Sequence, residues 1–358
     1  MKQKPLRLLA GPKALAHIRE NGLSAADIAC IPAAAGGPKG LILAPLDQLL
    51  FGHWLPNQPR QRELIGASIG AWRMACGAAS DPVQAFADLT RCYIEEQRYV
   101  GKPAASEVSR VARLLLDGVV SQRRDAILSH PHHRLHVLAN VGNGALAPQQ
   151  VNHATGFAHA ALANLRGRQH LAKHLERVVF HAGAGHAGIF DTRFDAFINH
   201  TVRLNYHNFA DAMVASGSIP LVLEPVRDIA DAPRGWYWDG GLIDYHLHLP
   251  YPRLPGFTLY PHFAPTITAG WLDKFTPWRR AHGAWLDTMI LICPTREFIA
   301  SLPKGKIPDR KDFKIHGSDW QTRERLWNQA IADSERLADA WHELDARQGW
   351  VDVVEALG

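Results

Sequence analysis

The spacing of apolar residues divides the chain into short buried strands, each running into a glycine-rich turn and then a helix. Residues 28–35 form a continuous apolar run that leads into Gly36-Gly37-Pro38-Lys39-Gly40. An apolar helix is predicted over 41–51, with a stop at Gly52. A strand near 63–65 then leads into Gly66-Ala67-Ser68-Ile69-Gly70, followed by a small helix face of Ala71, Met74 and Ala75. Strand, glycine turn and helix in alternation is the signature of an α/β sheet. Further helices are predicted over 12–20, 82–100, 105–128, 156–176 and 209–215, and further strands over 135–141, 177–180, 221–226, 236–238 and 289–292. Residues 319–346 read as one long amphipathic helix with Leu326, Ile331, Leu337 and Trp341 on or near one face. No repeat or linker interrupts the pattern. A single domain over 1–358 is expected, with a motif-bearing core of about 28–250 and an extension of about 251–358.

Composition narrows the class. The chain has 358 residues, 47% hydrophobic and 20% charged, ample for a large core. The formal charge of +5 is dispersed along the chain rather than blocked, so no nucleic-acid partner is expected. Cys30, Cys76, Cys92 and Cys293 lie far apart and form no C-x-x-C pair, which fits a reduced, cytoplasmic protein. The apolar run after Met1 stops at Ala10, too short for a signal sequence. No stretch approaches the ~18 apolar residues of a membrane-spanning helix, and a transient contact with a membrane surface stays open. The sequence specifies no oligomeric state.

Three segments carry candidate chemistry. Gly66-Ala67-Ser68-Ile69-Gly70 spells G-x-S-x-G, in which a nucleophilic serine sits on a tight strand-to-helix turn. Chain segments approach closely two residues either side of the serine, so Gly66 and Gly70 are required there. The helix that follows favours negative charge near its start. Gly36, Gly37 and Gly40 can expose backbone N–H groups to an oxyanion, although a plain strand–helix turn has the same composition. Asp239-Gly240-Gly241 places an aspartate at the end of the aromatic strand Trp236-Tyr237-Trp238, where a hairpin turn is the competing account.

Taken with Ala215-Ser216-Gly217-Ser218-Ile219-Pro220 and Asp239-Gly240-Gly241-Leu242-Ile243-Asp244, these segments resemble the patatin-like phospholipase family in motif and order, over roughly residues 28–250. The resemblance implies a three-layer α/β/α fold with a mainly parallel central sheet and a C-terminal helical extension. It implies lipid acyl hydrolysis through an acyl-serine intermediate, with Ser68 as nucleophile, Asp239 as its base, and Gly36, Gly37, Lys39 and Gly40 as the oxyanion loop. A lipid or acyl ester is the implied substrate, and neither a metal nor an organic cofactor is implied. The family's loop reads D-G-G-G-x-R-G; here Ala34, Ala35 and Lys39 replace its aspartate, first glycine and arginine. Alanine keeps an N–H for the hole, and lysine keeps the charge but loses the planar fork.

A solvated aspartate is a feeble base at neutral pH. Shielding by Trp236 and Trp238 is the expected remedy for Asp239. Two other accounts compete. One is an ordinary Ser-His-Asp triad completed by His246 or His248. The other is a non-catalytic lipid- or acyl-binding protein on the same fold. Gly183-Ala184-Gly185-His186-Ala187-Gly188 spells G-x-G-x-x-G but lacks the apolar helix a dinucleotide site needs. His130, His132, His133 and His136 lack metal-ligand spacing and read as a solvated loop.

Overall fold

The computed structural model describes residues 4–357 apart from 149–152, 184, 186, 280 and 282. The start of the N-terminal run and two positions of the G-x-G-x-x-G stretch, Ala184 and His186, therefore lie outside the described residues.

The strands are β1 (Leu6–Ala10), β2 (Ile28–Ala33), β3 (Arg62–Ala67), β4 (His133–Gly142), β5 (Leu175–His181) and β6 (Asn199–Arg203). They continue with β7 (Val226–Arg227), β8 (Trp236–Asp239), β9 (Phe257–Pro261), β10 (Met289–Pro294) and β11 (Val354–Ala356). Among the described residues they form one 11-stranded sheet in the order β11-β1-β10-β9-β2-β3-β4-β5-β6, with β8 also on β4 and β7 on β8. The central run from β10 through β9, β2 and β3 to β4 is parallel throughout. Parallel strands are covered on both faces and read as continuous apolar runs. All six residues of β2 are buried.

Strand alternation sends Ile290 and Ile292 to one face and Met289, Leu291 and Cys293 to the other. The first face carries the helices Ile69–Gly77, Pro82–Glu95, Ala105–Val119, Phe209–Ser216, Trp320–Asp333 and Glu335–Ala346. The second is covered by the helix His153–Arg166 and by short turns bearing Tyr245, Tyr251 and Phe263. Helix starts follow from local chemistry. Asp81 accepts the Gln84 N–H at 3.0 Å and Pro82 occupies the first helical position.

Several elements depart from the sequence pattern. The strand expected over 221–226 is reduced to β7, because Pro220 donates no N–H and the chain turns at 219–223, with Leu221 at φ 64°. The helix expected over 319–346 breaks at Ser334, whose hydroxyl bonds the Ala330 carbonyl at 2.6 Å. Its first half buries Arg323, Trp327 and Ala330, rather than Leu326 and Ile331, which are half-buried. The helix expected over 156–176 spans His153–Arg166 and Arg168–Leu171, interrupted at Gly167. Residues 251–358 contribute two inner strands, with β9 directly between β10 and β2, and the edge strand β11.

Candidate active site

The register of β4 brings the two candidate reacting residues together. Its first half pairs in parallel with β3, ending at Ala67 opposite Leu138. Its second half pairs with β8, which runs the other way and ends with Asp239 opposite Ala139. Ser68, one residue past β3, and Asp239, the last residue of β8, therefore meet over consecutive residues of one strand.

Ser68 sits at φ 57°, ψ −131°, a conformation unfavourable for a residue with a side chain, and immediately precedes the helix Ile69–Gly77. The turn is held from outside. The Ser68 N–H donates to Ser216 Oγ at 2.9 Å, and Ser216 Oγ donates to the Leu138 carbonyl at 2.7 Å. The glycines are steric requirements. A Cβ on Gly70 would stand 1.9 Å from the Ala33 carbonyl oxygen, and one on Gly66 would stand 2.4 Å from Ala71 Cα.

Asp239 is positioned by both backbone groups. Its N–H donates to the Ser218 carbonyl at 2.9 Å, and its carbonyl accepts from Asn140 Nδ2 at 2.7 Å. Its carboxylate accepts the Gly241 N–H at 2.7 Å and lies close enough to the Ser68 side chain for that side chain to lower its pKa. Burial pushes the Asp239 carboxyl above its ordinary pKa, against the opposing effects of Arg310, Ser68, Gly241 and Lys274. Trp236 and Trp238 do not supply this shielding. They alternate with Asp239 along β8 and pack on His153 and Phe157. The apolar wall beside Asp239 comes instead from Ala35, Tyr245 and Trp271, which border the same cavity.

The two histidines of the alternative triad have other neighbours. His246 Nδ1 accepts the Thr268 N–H at 3.1 Å, and its ring stacks on Tyr245 and lies edge-on to His262. Burial holds it well below the usual imidazole range. The His248 ring packs on Trp285. The histidines of the 130–136 stretch also have separate roles. His130 Nδ1 accepts the His133 N–H at 2.9 Å, His133 Nδ1 lies 2.9 Å from the Gly77 carbonyl, and His136 pairs with Glu63 at 2.6 Å. After Gly188 the chain enters a short 3-10 turn and not an α-helix.

The glycine loop closes over the elbow. Gly37 has φ 58°, in the left-handed region, and a Cβ on Gly36 would stand 2.8 Å from the Phe263 ring. The Ala35 N–H does not face the dyad as a free donor; it donates to the Tyr245 carbonyl at 2.9 Å. The Gly36 and Gly37 N–H groups have no backbone acceptor among the described residues. Gly40 packs directly on Ile69 and Arg73 of the elbow helix. Lys39 Nζ lies 5.3 Å from the Phe263 ring centre, and burial lowers its pKa.

Four features carried no recognisable motif. The first is a buried bidentate pair in which Arg73 Nε and Nη2 donate to Asp47 at 2.7 and 2.9 Å, tying the elbow helix to the helix after the glycine loop. The second is fully buried Arg177, which donates to Asp244 at 2.6 and 2.9 Å and to Asp195 at 2.8 Å, fixing the chain just past Asp239-Gly240-Gly241. The third is Lys274, 3.8 Å from the Tyr245 ring centre, whose pKa is pushed down to about 7 by burial and by Lys39 and Arg310. The fourth is Arg310, whose Nε would stand 2.9 Å from a Cβ on Gly37. Arg310 and Lys274 lie in the part of the chain that the motifs leave uncovered, and contact with the site is visible only in three dimensions.

A cavity of about 320 Å³ opens beside Asp239, lined by Phe157, Ala161, Leu175, Ile219, Leu242 and Trp271. It is almost wholly apolar and is roofed by the helix His153–Arg166. A cleft lined by Ser68 passes Tyr93 and Gln97 toward Tyr99. Arg310 and Ile219 border both.

No family model matches the sequence, and no curated protein matches it. Among solved structures the fold is similar to human GIVD cytosolic phospholipase A2, with a TM-score of 0.39 and 12% identity over 95% of this chain. The match spans 63% of the length of that protein. A likeness at that score assigns no activity. Among the described residues no helix is long and apolar enough to cross a membrane, and all four cysteines are buried and unpaired.

Proposed function

We propose that this protein is a serine acyl hydrolase acting on acyl esters. The observation that carries this reading is the meeting of Ser68, on a strained strand-to-helix turn, with a buried Asp239 carboxylate whose pKa the Ser68 side chain lowers. Ser68 Oγ attacks the ester carbonyl while its proton passes to Asp239. The oxyanion is stabilised by the Gly36 and Gly37 N–H groups and by the start of the elbow helix. The intermediate collapses, the alcohol leaves with the proton from Asp239, and acyl-Ser68 remains. Water then attacks the acyl-enzyme with Asp239 as base, releasing the acid and restoring the serine. The apolar cavity receives the acyl chain. The cavity is apolar and large enough for an alkyl chain.

The base works only when ionised, so turnover should rise with pH through a single acidic limb. Burial raises the Asp239 pKa, so that limb should lie above the ~3.9 of an ordinary aspartate. The check is kcat/KM against pH for a decanoyl ester. A profile flat down to pH 4 would contradict a buried aspartate base. A non-catalytic acyl-binding protein is the second reading, favoured by one observation: the Ala35 N–H is already engaged by Tyr245.

A further inference from the structure

The turn at 306–312 aims one cation at the reacting pair. Asp312 is buried and takes three donors: Lys306 Nζ at 2.6 Å, the Asp309 N–H at 3.0 Å and Trp327 Nε1 at 3.0 Å. Asp309 accepts the Lys311 N–H at 2.8 Å and pairs with Lys306 at 3.3 Å. Both carboxylates of the turn are therefore engaged, and the backbone of Arg310 is fixed between them. The Arg310 side chain makes no hydrogen bond and no ion pair within 4.0 Å among the described residues. It reaches across to the glycine loop, where its Nε and Cγ would stand 2.9 and 3.5 Å from a Cβ on Gly37. A side chain at position 37 would push it aside, a second reason for glycine beside the φ of 58°.

Arg310 borders both spaces that meet at the dyad. It lines the apolar cavity together with Asp239 and Gly36, and the cleft together with Ser68 and Gly37. Lys39, the cation of the loop itself, lines neither. Its Nζ lies against Phe263, and the charges that act on it are those of Asp309, Arg310, Lys311 and Lys306. At Asp239, Arg310 is the first of the groups that oppose burial, ahead of Ser68, Gly241 and Lys274. Tyr93 and Tyr245 also face this carboxylate.

Attack on an ester moves one negative charge. The charge starts on Asp239. The Ser68 proton passes to that carboxylate, and the carbonyl π pair moves onto oxygen. The charge is then on the oxyanion at the Gly36 and Gly37 N–H groups. A guanidinium fixed beside both places attracts the charge at the start and at the end, and it needs no rearrangement in between. It also keeps its own charge at every working pH, which a half-buried lysine does not.

We propose that Arg310 is the positioning cation of the dyad, holding Asp239 ionised before attack and facing the oxyanion after it, in the place the loop motif gives to Lys39. The proposal rests on the hydrolase reading and deepens it.

The test is kcat/KM against pH for an uncharged decanoyl ester, so that no ion pair to the substrate contributes. Removing a cation raises the pKa of a neighbouring carboxylate, so the acid limb of Arg310→Gln should move to higher pH. On the plateau above that limb kcat/KM should fall roughly tenfold, a modest loss because Arg310 is half-exposed. Arg310→Lys should return the limb to its wild-type position and recover part of the rate. Lys39→Gln should leave the limb in place. The Tm of Arg310→Gln should match wild type, because no hydrogen bond or ion pair is removed. An Arg310→Gln limb that stays in place, or a limb moved as far by Lys39→Gln, would overturn the proposal. Fluorophosphonate labelling of the wild type separates the two failures. An adduct at Ser68 with an unmoved limb removes only the role of Arg310. No adduct and no turnover removes the hydrolase reading and that role with it.

Discussion

Asp239→Asn should lower turnover of a decanoyl ester about a thousandfold, within the range that general-base catalysis contributes. The amide can still accept the Gly241 N–H that Asp239 accepts at 2.7 Å, so the turn after β8 should persist. What it cannot do is take the Ser68 proton. Ser68→Ala should lose still more, because no acyl-enzyme forms. Stability should move the other way in Asp239→Asn. Burial raises the Asp239 pKa, so the folded protein binds a proton more readily than the unfolded chain. Stability is therefore lost as pH rises from the ordinary carboxylate value through the raised one. At neutral pH the ionised group is a net cost to the fold, and the neutral asparagine should raise Tm. Turnover and Tm measured on the same preparations check both halves. A lower Tm together with lower turnover would point to simple unfolding.

Arg73→Met should cost about 3–5 kcal/mol, because it leaves the Asp47 carboxylate buried and unpaired. Asp47 is fully buried, and Arg73 is its partner through two hydrogen bonds of 2.7 and 2.9 Å. Burial already pushes the Asp47 pKa up in spite of Arg73. Without the guanidinium the carboxyl should take up a proton on folding, so the deficit should shrink as pH falls. The double variant Asp47→Leu/Arg73→Met should recover most of the loss, since a well-packed apolar pair is often as stable as a buried ion pair. Urea denaturation of the single and double variants at two pH values is the check. The pair also fixes the glycine loop relative to the elbow, because Gly40 packs on Arg73 and Ile69. Arg73→Met should therefore lose turnover beyond its unfolded fraction, and the double variant should regain only part of it.

The site was legible in the sequence to the extent that backbone geometry dictates residue type. Gly66 and Gly70 are glycines because a Cβ at either would enter its neighbour's backbone, and such a constraint shows as a fixed spacing. The alternation of strand, turn and helix was legible for the same reason, since parallel strands need apolar runs and crossovers. Side-chain partners from distant segments were not legible. Nothing at position 310 announces that Arg310 reaches Gly37, and nothing in β9 announces that it lies beside β2. The aromatic residues nearest Asp239 in sequence do not shield it, because period-two alternation turns Trp236 and Trp238 to the other face. The Ala35 N–H counted as a free donor in one dimension and is bonded to Tyr245 in three. The break at Ser334 depends on a hydroxyl-to-carbonyl bond that an apolar-periodicity pattern does not register.

The most direct test of the central claim is fluorophosphonate labelling of wild type, Ser68→Ala and Asp239→Asn, read by intact mass and peptide mapping. An activated serine at the elbow predicts one adduct on the wild type, located at Ser68. It predicts no adduct on Ser68→Ala and a much slower one on Asp239→Asn. A folded wild type that stays unlabelled, with and without a decanoyl ester present, would contradict the claim. So would an adduct formed equally fast without Asp239.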